Sequence, residues 1–323
     1  MDPEPLYTIL TRPASKNPSR VCLHYQGSNI SYSEIDELSS RFASGLLRIG
    51  MKSGDRVAIF SPNTPQFVIS YFGILKAGGI VVPCSPLYKE RELEFQLRDS
   101  GASIVVAAND VVRRNDLYSS LERCRDRLPI SQVITASVTD YLPGFKRALA
   151  GLAKVKNVRR ERTLRFVELV RDNPPLASFA AVEPTRDVAV LQYTGGTTGT
   201  SKGAMLTHHN LLVAAAMGAM SLPLTGDDIS LAVLPLFHIF GMTACMNAPL
   251  ISGGEIVLLP RFDVSEVMRT IQSQKVTCFC GVPTMYVAIN NHPAVAKFEL
   301  KSVRVAFSGE LPSLWPSGRG STN

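Results

Sequence analysis

The sequence predicts an α/β fold in which largely parallel sheets are flanked by helices. Short apolar runs of strand length alternate along the chain with segments whose apolar residues recur at helical spacing. Strands that alternate with helices pair in parallel, because each helical crossover returns the chain to the same edge of the sheet. The runs predicted to be strands are Arg56–Phe60, Ile80–Val82, Ser103–Ala107, Val188–Tyr193, Ser230–Leu234, Glu255–Leu259, Val276–Cys280 and Val303–Phe307.

Three of the helical segments can be placed along the chain. Ser31 and Glu34 have the spacing of a capping box, and Gly50 closes the helix that follows. Thr64–Pro65 begins a second helix, since proline suits the first helical position. Lys89–Asp99 is predicted to be a third helix, between two of the strands.

The positive charge of the chain is concentrated in one segment. The formal net charge is +7, from 34 basic and 27 acidic side chains. Residues 141–171 contain nine Lys or Arg and two Glu, so this basic segment accounts for the whole excess. A local basic patch favours an anionic ligand or surface over nucleic acid, and no RNA-binding motif is visible. Its apolar stripe fits either a helix lying on an anionic membrane or a solvated helix packed on its own domain.

The cysteines and the N-terminus predict an intracellular setting. Six cysteines are scattered without disulfide-framework spacing and without a CxxC pair. Cys278 and Cys280 lie on one face of a predicted strand, where small buried side chains are favoured over a metal site. The N-terminus carries Asp2 and Glu4 and no basic run, unlike a signal peptide. We expect a cytoplasmic protein, with peripheral membrane contact through residues 141–171 as a further hypothesis.

A long uncharged stretch is not expected to cross a membrane. Residues 229–254 contain no Asp, Glu, Lys or Arg. Pro235, His238, Gly241 and Pro249 interrupt this stretch, so a buried strand, a loop and a helix fit it better.

The strongest chemical signal is a loop rich in glycine and hydroxyl groups, directly after the strand that begins at Val188. Its glycines leave backbone N–H groups uncovered, its hydroxyls add donors, and Lys202 adds a point charge, which together suit a polyphosphate. A plain linker has no need of one lysine in so dense a set of hydroxyls. The loop is not a Walker A motif, because no Gly-Lys-Ser/Thr run is present. The loop residues are Thr194, Gly195, Gly196, Thr197, Thr198, Gly199, Thr200, Ser201, Lys202 and Gly203.

This loop resembles the signature of the adenylate-forming superfamily, which includes acyl-CoA synthetases, luciferases and nonribosomal adenylation domains. Leu191–Tyr193 before it and Gly203–His208 after it are similar to bacterial-type long-chain fatty-acid–CoA ligases. Gly196, where many relatives have serine, fits the same branch. Two further family motifs, Pro235–Gly241 and Gly281–Thr284, follow in family order and spacing.

The resemblance implies a two-step reaction with ATP, Mg²⁺ and coenzyme A. The carboxylate of a fatty acid or another carboxylic acid attacks the α-phosphate of ATP, and the CoA thiol then displaces AMP from the acyl-adenylate. In that scheme Thr194–Lys202 hold the β- and γ-phosphates, Lys202 is the main cation, and Thr198 lies near the metal that accompanies ATP. The implied acyl pocket consists of Phe237, His238, Phe240, Gly241, Met242, Gly281, Val282 and Pro283.

The role of a histidine depends on the resemblance. On residue type alone, His238 fits a satisfied buried histidine as well as a site residue, and the family match favours a site residue that orients the carboxylate. His208 and His209 lie where a helix is expected to begin, and no chemistry is assigned to them.

The sequence departs from the family pattern after Gly309. The motifs that relatives use there for adenine, magnesium and ribose are not found, and neither is the small C-terminal domain with its lysine. We therefore expect residues 1–309 to form a partial AMP-binding domain, and residues 310–323 to be a disordered tail. Two functions follow: a catalytically incomplete acyl-CoA ligase, or a non-catalytic nucleotide-binding or interaction protein on the same fold. A P-loop kinase is disfavoured by the missing Walker A motif.

Overall fold

The computed structural model describes residues 1–112, 115–144, 146, 156–157, 162–194 and 201–309. Loop residues 195–200, most of the basic segment between residues 145 and 161, and the predicted tail 310–323 lie outside the described residues. The strands are β1 (Val21–Tyr25), β2 (Ser28–Ser31), β3 (Arg56–Phe60), β4 (Ile80–Cys84), β5 (Ile104–Ala108), β6 (Asp110–Val112), β7 (Asn115–Asp116), β8 (Gln132–Ala136), β9 (Lys156–Asn157), β10 (Leu164–Arg165), β11 (Val188–Thr194), β12 (Lys202–Thr207), β13 (Ile229–Ala232), β14 (Glu255–Leu258), β15 (Cys278–Gly281) and β16 (Val305–Ser308).

Helix starts follow the sequence signals. The Ser31 hydroxyl accepts a hydrogen bond from the Glu34 N–H, at 3.3 Å, and the Ser31 N–H donates to the Glu34 carboxylate, at 2.7 Å, which completes the predicted capping box. Pro65 occupies the first turn of the next helix. The α-helices are Thr8–Lys16, Tyr32–Arg48, Pro65–Lys76, Glu90–Ser100, Leu117–Cys124, Phe166–Arg171, His208–Ser221, Ile239–Gly241, Ala248–Ile251, Val264–Gln274 and Pro283–Asn290, with a π-helical Met242–Asn247 and 3₁₀ turns at Arg125–Arg127 and Val295–Lys297.

The strands form two large sheets, each parallel except for one edge strand. The seven-stranded sheet has the order β10-β8-β5-β3-β4-β11-β12, and only β12 runs antiparallel to its neighbour. The six-stranded sheet has the order β16-β15-β13-β14-β1-β2, and only β2 is antiparallel. A small third sheet contains β7, β6 and β9. The predicted α/β fold with parallel sheets and flanking helices is confirmed.

Alternating side chains divide the apolar interior into three layers. In β3, Val57 and Ile59 face the core between the two large sheets, whereas Ala58 and Phe60 face the opposite side. Such alternation buries both faces of a parallel strand. The helices that contribute to the core between the sheets include Thr8–Lys16, Tyr32–Arg48, Pro65–Lys76, Phe166–Arg171, His208–Ser221 and Ala248–Ile251. Glu90–Ser100 and Leu117–Cys124 cover the outside of the seven-stranded sheet, and Val264–Gln274 and Pro283–Asn290 cover the outside of the six-stranded sheet.

The helix Pro65–Lys76 is buried at every residue between the two sheets. It lies close to its neighbouring helix: a Cβ atom at Gly73 would lie 2.7 Å from the ring of Phe42. The ammonium group of Lys76 is bound to the carboxylate of Asp36, at 2.7 Å, which satisfies a charge that would otherwise be costly to bury. The helices Tyr32–Arg48 and Pro65–Lys76 therefore form one rigid central layer.

The uncharged stretch 229–254 folds into β13, a loop and consecutive helical pieces, as predicted. Within the described residues, no helix is both long enough and apolar enough to cross a membrane. Cys278 and Cys280 are buried on the inner face of β15, with their sulfur atoms 4.0 Å apart. The prediction of two small buried side chains on one face is confirmed.

One lysine of the basic segment can be placed. The Nζ atom of Lys146 donates a hydrogen bond to the carbonyl oxygen of Gln26, at 2.5 Å, so this side chain is bound to its own domain. The membrane hypothesis for residues 141–171 stays a prediction, because residues 145, 147–155 and 158–161 of the segment lie outside the described residues.

Candidate functional site

Two predicted site segments and the end of β16 meet at one edge of the six-stranded sheet. β13, β15 and β16 are parallel neighbours, so their carboxyl ends lie side by side. The chain leaves these ends toward His238, Val282 and Gly309. The carboxyl edge of a parallel sheet is where α/β proteins bind ligands.

His238 is exposed and begins the helical turn Ile239–Gly241. Its Nδ1 atom accepts a hydrogen bond from the backbone N–H of Phe240, at 3.3 Å. Because Nδ1 is an acceptor, a neutral His238 carries its proton on Nε2. The second ring nitrogen is then a donor suited to a carboxylate or phosphate oxygen. The sequence alternative, a satisfied buried histidine, does not fit this exposed ring.

The turn after His238 requires glycine at position 241. A Cβ atom there would lie 2.2 Å from the carbonyl oxygen of Pro235, closer than any real contact. The His238 N–H donates to the same oxygen, at 3.1 Å, so the turn folds back tightly on itself. Met242 follows and is fully buried in the core between the sheets.

An aromatic wall stands beside this turn. The rings of Phe240 and Phe307 are edge to face, with centroids 6.0 Å apart. A Cβ atom at Gly309 would lie 2.6 Å from the Phe240 ring, so the ring lies directly on the end of β16. Phe237 is half-buried. Phe237 and Phe240 adjoin His238 along the chain, so apolar surface lies close to this histidine.

The segment after β15 completes this edge. Gly281 is buried, and a Cβ atom there would lie 3.1 Å from the ring of Tyr286. The Tyr286 hydroxyl lies 2.8 and 2.9 Å from the carbonyl oxygens of Phe279 and Phe307, so its single hydrogen is shared between them and ties β15 to β16. Val282 and Pro283 are half-buried at the start of the next helix.

The predicted phosphate loop joins β11 to β12 at the edge of the seven-stranded sheet. Thr194 lies opposite Lys202 in this antiparallel pair. The Ser201 hydroxyl donates to the carbonyl oxygen of Thr194, at 2.8 Å, which closes the base of the loop. Lys202 is exposed beside Thr194, whereas residues 195–200 lie outside the described residues. The structure thus places an exposed lysine at the base of the hairpin, where the predicted phosphate loop rejoins β12.

The base of the hairpin is anchored to a neighbouring helix. A Cβ atom at Gly203 would lie 3.0 Å from the ring of Tyr193, so glycine allows the ring to pack on β12. The Tyr193 hydroxyl donates to the Asp99 carboxylate. Burial, together with that carboxylate, raises the pKa of Tyr193, so the tyrosine stays a neutral donor.

A buried glutamine links the hairpin to the His238 segment. The Nε2 atom of Gln192, on β11, donates to the carbonyl oxygen of Phe237, at 3.1 Å. Gln192 is 4% exposed. Sequence reasoning did not single it out, although an amide among the apolar residues of a predicted strand is a signal of a buried polar contact.

A buried asparagine makes a second link. The Nδ2 atom of Asn63 donates to the carbonyl oxygens of Ala232 and Leu234, at 3.0 and 2.9 Å. Its Oδ1 atom accepts from the Leu236 N–H, at 2.9 Å. Asn63 follows β3, so it too reaches from the seven-stranded sheet to the chain that precedes His238. In the sequence it looks like an ordinary residue before a helix, and no local pattern reveals its role.

A cavity lies farther along the same edge of the six-stranded sheet. It has a volume of about 220 Å³ and opens beside the ends of β1 and β14. His24, Lys146, Glu266 and Thr270 are among the residues that line it. None of the predicted site residues contributes to its lining.

Comparison with known proteins decides the family. The model of the AMP-binding enzyme family matches residues 10–313. The chain belongs to this family. A long-chain-fatty-acid–CoA ligase of Bacillus subtilis (strain 168) is 36% identical over 312 residues, which cover 94% of the chain and 55% of that enzyme. One of Escherichia coli O157:H7 is 32% identical over 300 residues, which cover 88% of the chain and 52% of that enzyme.

Solved structures show the same fold. An anthranilate CoA ligase in complex with anthranoyl-AMP superposes with a TM-score of 0.83 at 24% identity, over 94% of the chain and 55% of that protein. A long-chain-fatty-acid–CoA ligase from Archaeoglobus fulgidus gives a TM-score of 0.79 at 24% identity, over 96% of the chain and 58% of that protein. The chain thus spans about half the length of the curated relatives it matches.

Proposed function

We propose that this chain provides the ATP- and acyl-binding part of an AMP-forming acyl-CoA ligase that acts on a long-chain fatty acid. One observation carries the proposal: Gln192 joins the hairpin of Thr194 and Lys202 to the segment of His238, by a hydrogen bond to Phe237 of 3.1 Å. In this proposal, a phosphate-binding element on one sheet and an acyl-binding element on the other would thereby be held as one site.

The proposed reaction has two steps. A carboxylate oxygen attacks the α-phosphorus of ATP, the bond to the β-phosphate oxygen breaks, and pyrophosphate leaves. The CoA thiolate then attacks the acyl carbonyl carbon, and AMP leaves as the thioester forms. Positioning and stabilisation of phosphoryl charge account for most of the catalysis in the first step.

The residues of the hairpin fit a triphosphate. Lys202 is exposed at the base of the loop, beside Thr194, where its ammonium group can neutralise a β- or γ-phosphate. The hydroxyls of the loop would donate to the remaining oxygens, and Thr198 would lie near the Mg²⁺ that accompanies ATP. Mg²⁺ would draw charge from the leaving pyrophosphate.

His238 and the aromatic wall fit the acyl group. The Nε2–H donor of a neutral His238 would orient the attacking carboxylate, with Nδ1 held by the Phe240 N–H. Phe237, Phe240 and Val282 are half-buried, and in this proposal they would bind the start of the acyl chain. Gly241, Met242 and Gly281 would shape the pocket, since tight contacts or burial fix each of them, and Pro283 would add to it at the start of the next helix.

The proposal includes a low catalytic activity for this chain. Residues 1–309 would form a partial AMP-binding domain, and the chain matches only about half of each curated relative. We expect the 323-residue chain to bind ATP but to catalyse the reaction slowly. Several groups that stabilise the transition state act together in such sites, and the loss of one of them lowers the rate about 100- to 1000-fold. Because the chain matches only part of each relative, a second function stays open, which is nucleotide binding without catalysis of the ligase reaction.

Fatty-acid-dependent exchange of pyrophosphate into ATP tests the proposal. Palmitate, octanoate and anthranilate are compared with a reaction that lacks acid, and ATP binding is measured in parallel. Exchange above background that is highest with palmitate supports a long-chain ligase. ATP binding without acid-dependent exchange favours the second function, and absence of both contradicts the proposal.

A further inference from the structure

Two buried amides from the seven-stranded sheet hold the chain around His238. We propose that Asn63 and Gln192 are positioning residues, which fix the His238 segment relative to the phosphate-binding hairpin so that acyl group and phosphate are aligned. This inference rests on the proposed function. Neither side chain is placed to react, since each is at least 96% buried and bonded to backbone groups.

Asn63 holds the backbone that leads from β13 to His238. Its two Nδ2 hydrogens and its Oδ1 atom are all used, at 3.0, 2.9 and 2.9 Å, on three backbone groups between Ala232 and Leu236. The bonds span the point where β13 ends and the loop begins. A loop has no ladder of its own to satisfy its backbone, so the asparagine takes the place of a neighbouring strand.

Gln192 holds the His238 segment at Phe237, from the side of the phosphate-binding hairpin. It lies two residues before Thr194, the first residue of the loop, and its Nε2 atom binds the carbonyl oxygen of Phe237. Phe237 directly precedes His238. A displacement of the hairpin is therefore transmitted to the imidazole through one side chain and one peptide group.

The tight turn leaves the imidazole little freedom to compensate. Because Gly241 packs against Pro235 without room for a Cβ atom, the His238 segment moves as a unit. The two amides hold that unit at its start and at its middle, whereas the aromatic contact of Phe240 holds its far end. Removal of either amide should hence shift the donor nitrogen while the sheets stay intact.

The test compares Gln192→Met and Asn63→Ala with a matched control. Gln192→Met keeps the shape and removes only the donor, since the Gln192 Oε1 atom has no partner among the described residues. Asn173→Ala is the control: Asn173 is 4% exposed and donates to the Leu169 carbonyl oxygen, at 2.6 Å, away from the site. It removes a buried amide of the same kind without contact to the His238 segment.

Two measurements are made on each variant of the full chain. The first is the affinity for ATP and for a non-hydrolysable palmitoyl-adenylate analogue. We expect Gln192→Met and Asn63→Ala to bind the analogue about tenfold more weakly, as the loss of one buried hydrogen bond implies, with ATP affinity within about twofold of the parent. The second is backbone hydrogen exchange of residues 235–242, which should be faster in these two variants and unchanged in Asn173→Ala.

The outcomes separate this inference from the proposed function. If the parent chain binds neither ligand, the proposed function fails, and exchange in residues 235–242 alone decides whether the amides position the segment. Equal loss of both ligands, an equal effect of Asn173→Ala, or unchanged hydrogen exchange in Gln192→Met overturns the inference. Because Gln192→Met is nearly isosteric, it gives a folded chain for this decision even if Asn63→Ala does not fold.

Discussion

Buried His208 makes the stability of the fold dependent on pH. It begins the helix His208–Ser221, is 1% exposed, and accepts a hydrogen bond on Nδ1 from the Leu6 N–H, at 3.1 Å. Burial lowers the pKa of His208 from 6.5 to about 4, although the nearby Asp187 carboxylate acts in the opposite direction. The folded protein therefore keeps His208 neutral, and its protonation breaks the bond to Leu6.

The size and sign of the effect follow from the two pKa values. The unfolded chain binds a proton near pH 6.5 and the folded chain only near pH 4, so the neutral histidine stabilises the fold fully above the first value. The contribution is lost as the pH falls from 6.5 toward 4, and amounts in total to about 3 kcal/mol. At about pH 5, roughly 2 kcal/mol of it should already be lost.

Urea unfolding of the parent and of His208→Gln measures this loss. Glutamine can accept from the Leu6 N–H without titrating, so the stability difference between the two proteins should change by about 2 kcal/mol between about pH 7.5 and about pH 5. Thr207→Ala is the control, because it removes the cap of the same helix and should cost about 1 kcal/mol at every pH. A constant difference between the parent and His208→Gln would refute the buried neutral histidine.

Three further predictions concern other parts of the molecule. Lys202→Ala should weaken ATP binding by about 10- to 100-fold and AMP binding far less, because the lysine is proposed to bind the outer phosphates. The control Lys301→Ala, which changes an exposed lysine before the start of β16, should alter neither affinity. An equal loss of ATP and AMP affinity in titration calorimetry would contradict the proposed role of Lys202. Burial alone would raise the pKa of Asp228, but hydrogen bonds from Arg304, Thr277 and Thr225 lower it to about 2. The substitution Asp228→Asn should therefore lower the free energy of unfolding in urea by about 2 kcal/mol at neutral pH, and by much less below about pH 2. An equal loss at both pH values would argue against an ionised carboxylate in the folded protein. Residues 141–171 should carry the chain onto anionic vesicles at low salt and release it at high salt, and cosedimentation that ignores salt would exclude electrostatic attachment.

The general fold was predictable because local signals agree with the global arrangement. Strand runs such as Arg56–Phe60 are apolar on both faces, which only a sheet covered on both sides can bury. The capping box at Ser31 and the proline at Pro65 fixed where helices begin. The strands β1, β8 and β12 are among those that were not predicted. β1 carries the polar His24, and β12 is an antiparallel edge strand with exposed side chains.

The division into two sheets could not be predicted, because it depends on pairs far apart in the chain. β1 pairs with β14, with Leu23 opposite Ile256. Both sheets use the same alternation of strand and helix, so no local feature assigns a strand to one of them. For the same reason, the sequence predicted the phosphate loop from its own residues and the role of His238 from the resemblance, but not the contacts that connect them.

The contacts that join the two halves of the site come from residues with ordinary local patterns. Asn63 binds backbone groups at Ala232 and Leu236, more than 160 positions away. A single amide has no periodicity and no motif, so its partner is set by tertiary structure alone. The chemistry of the site was therefore more predictable than the means by which its parts are positioned.

A crystal structure of the chain with ATP and Mg²⁺ would show directly whether the two sheets form one nucleotide site. We expect the triphosphate in the loop between β11 and β12, with the outer phosphates at Lys202 and the α-phosphate facing His238. Both sheets should then contact one nucleotide, and the Gln192 to Phe237 bond should be retained. A triphosphate bound elsewhere, for example at Lys146 beside the cavity of about 220 Å³, would contradict a single site built from the two sheets.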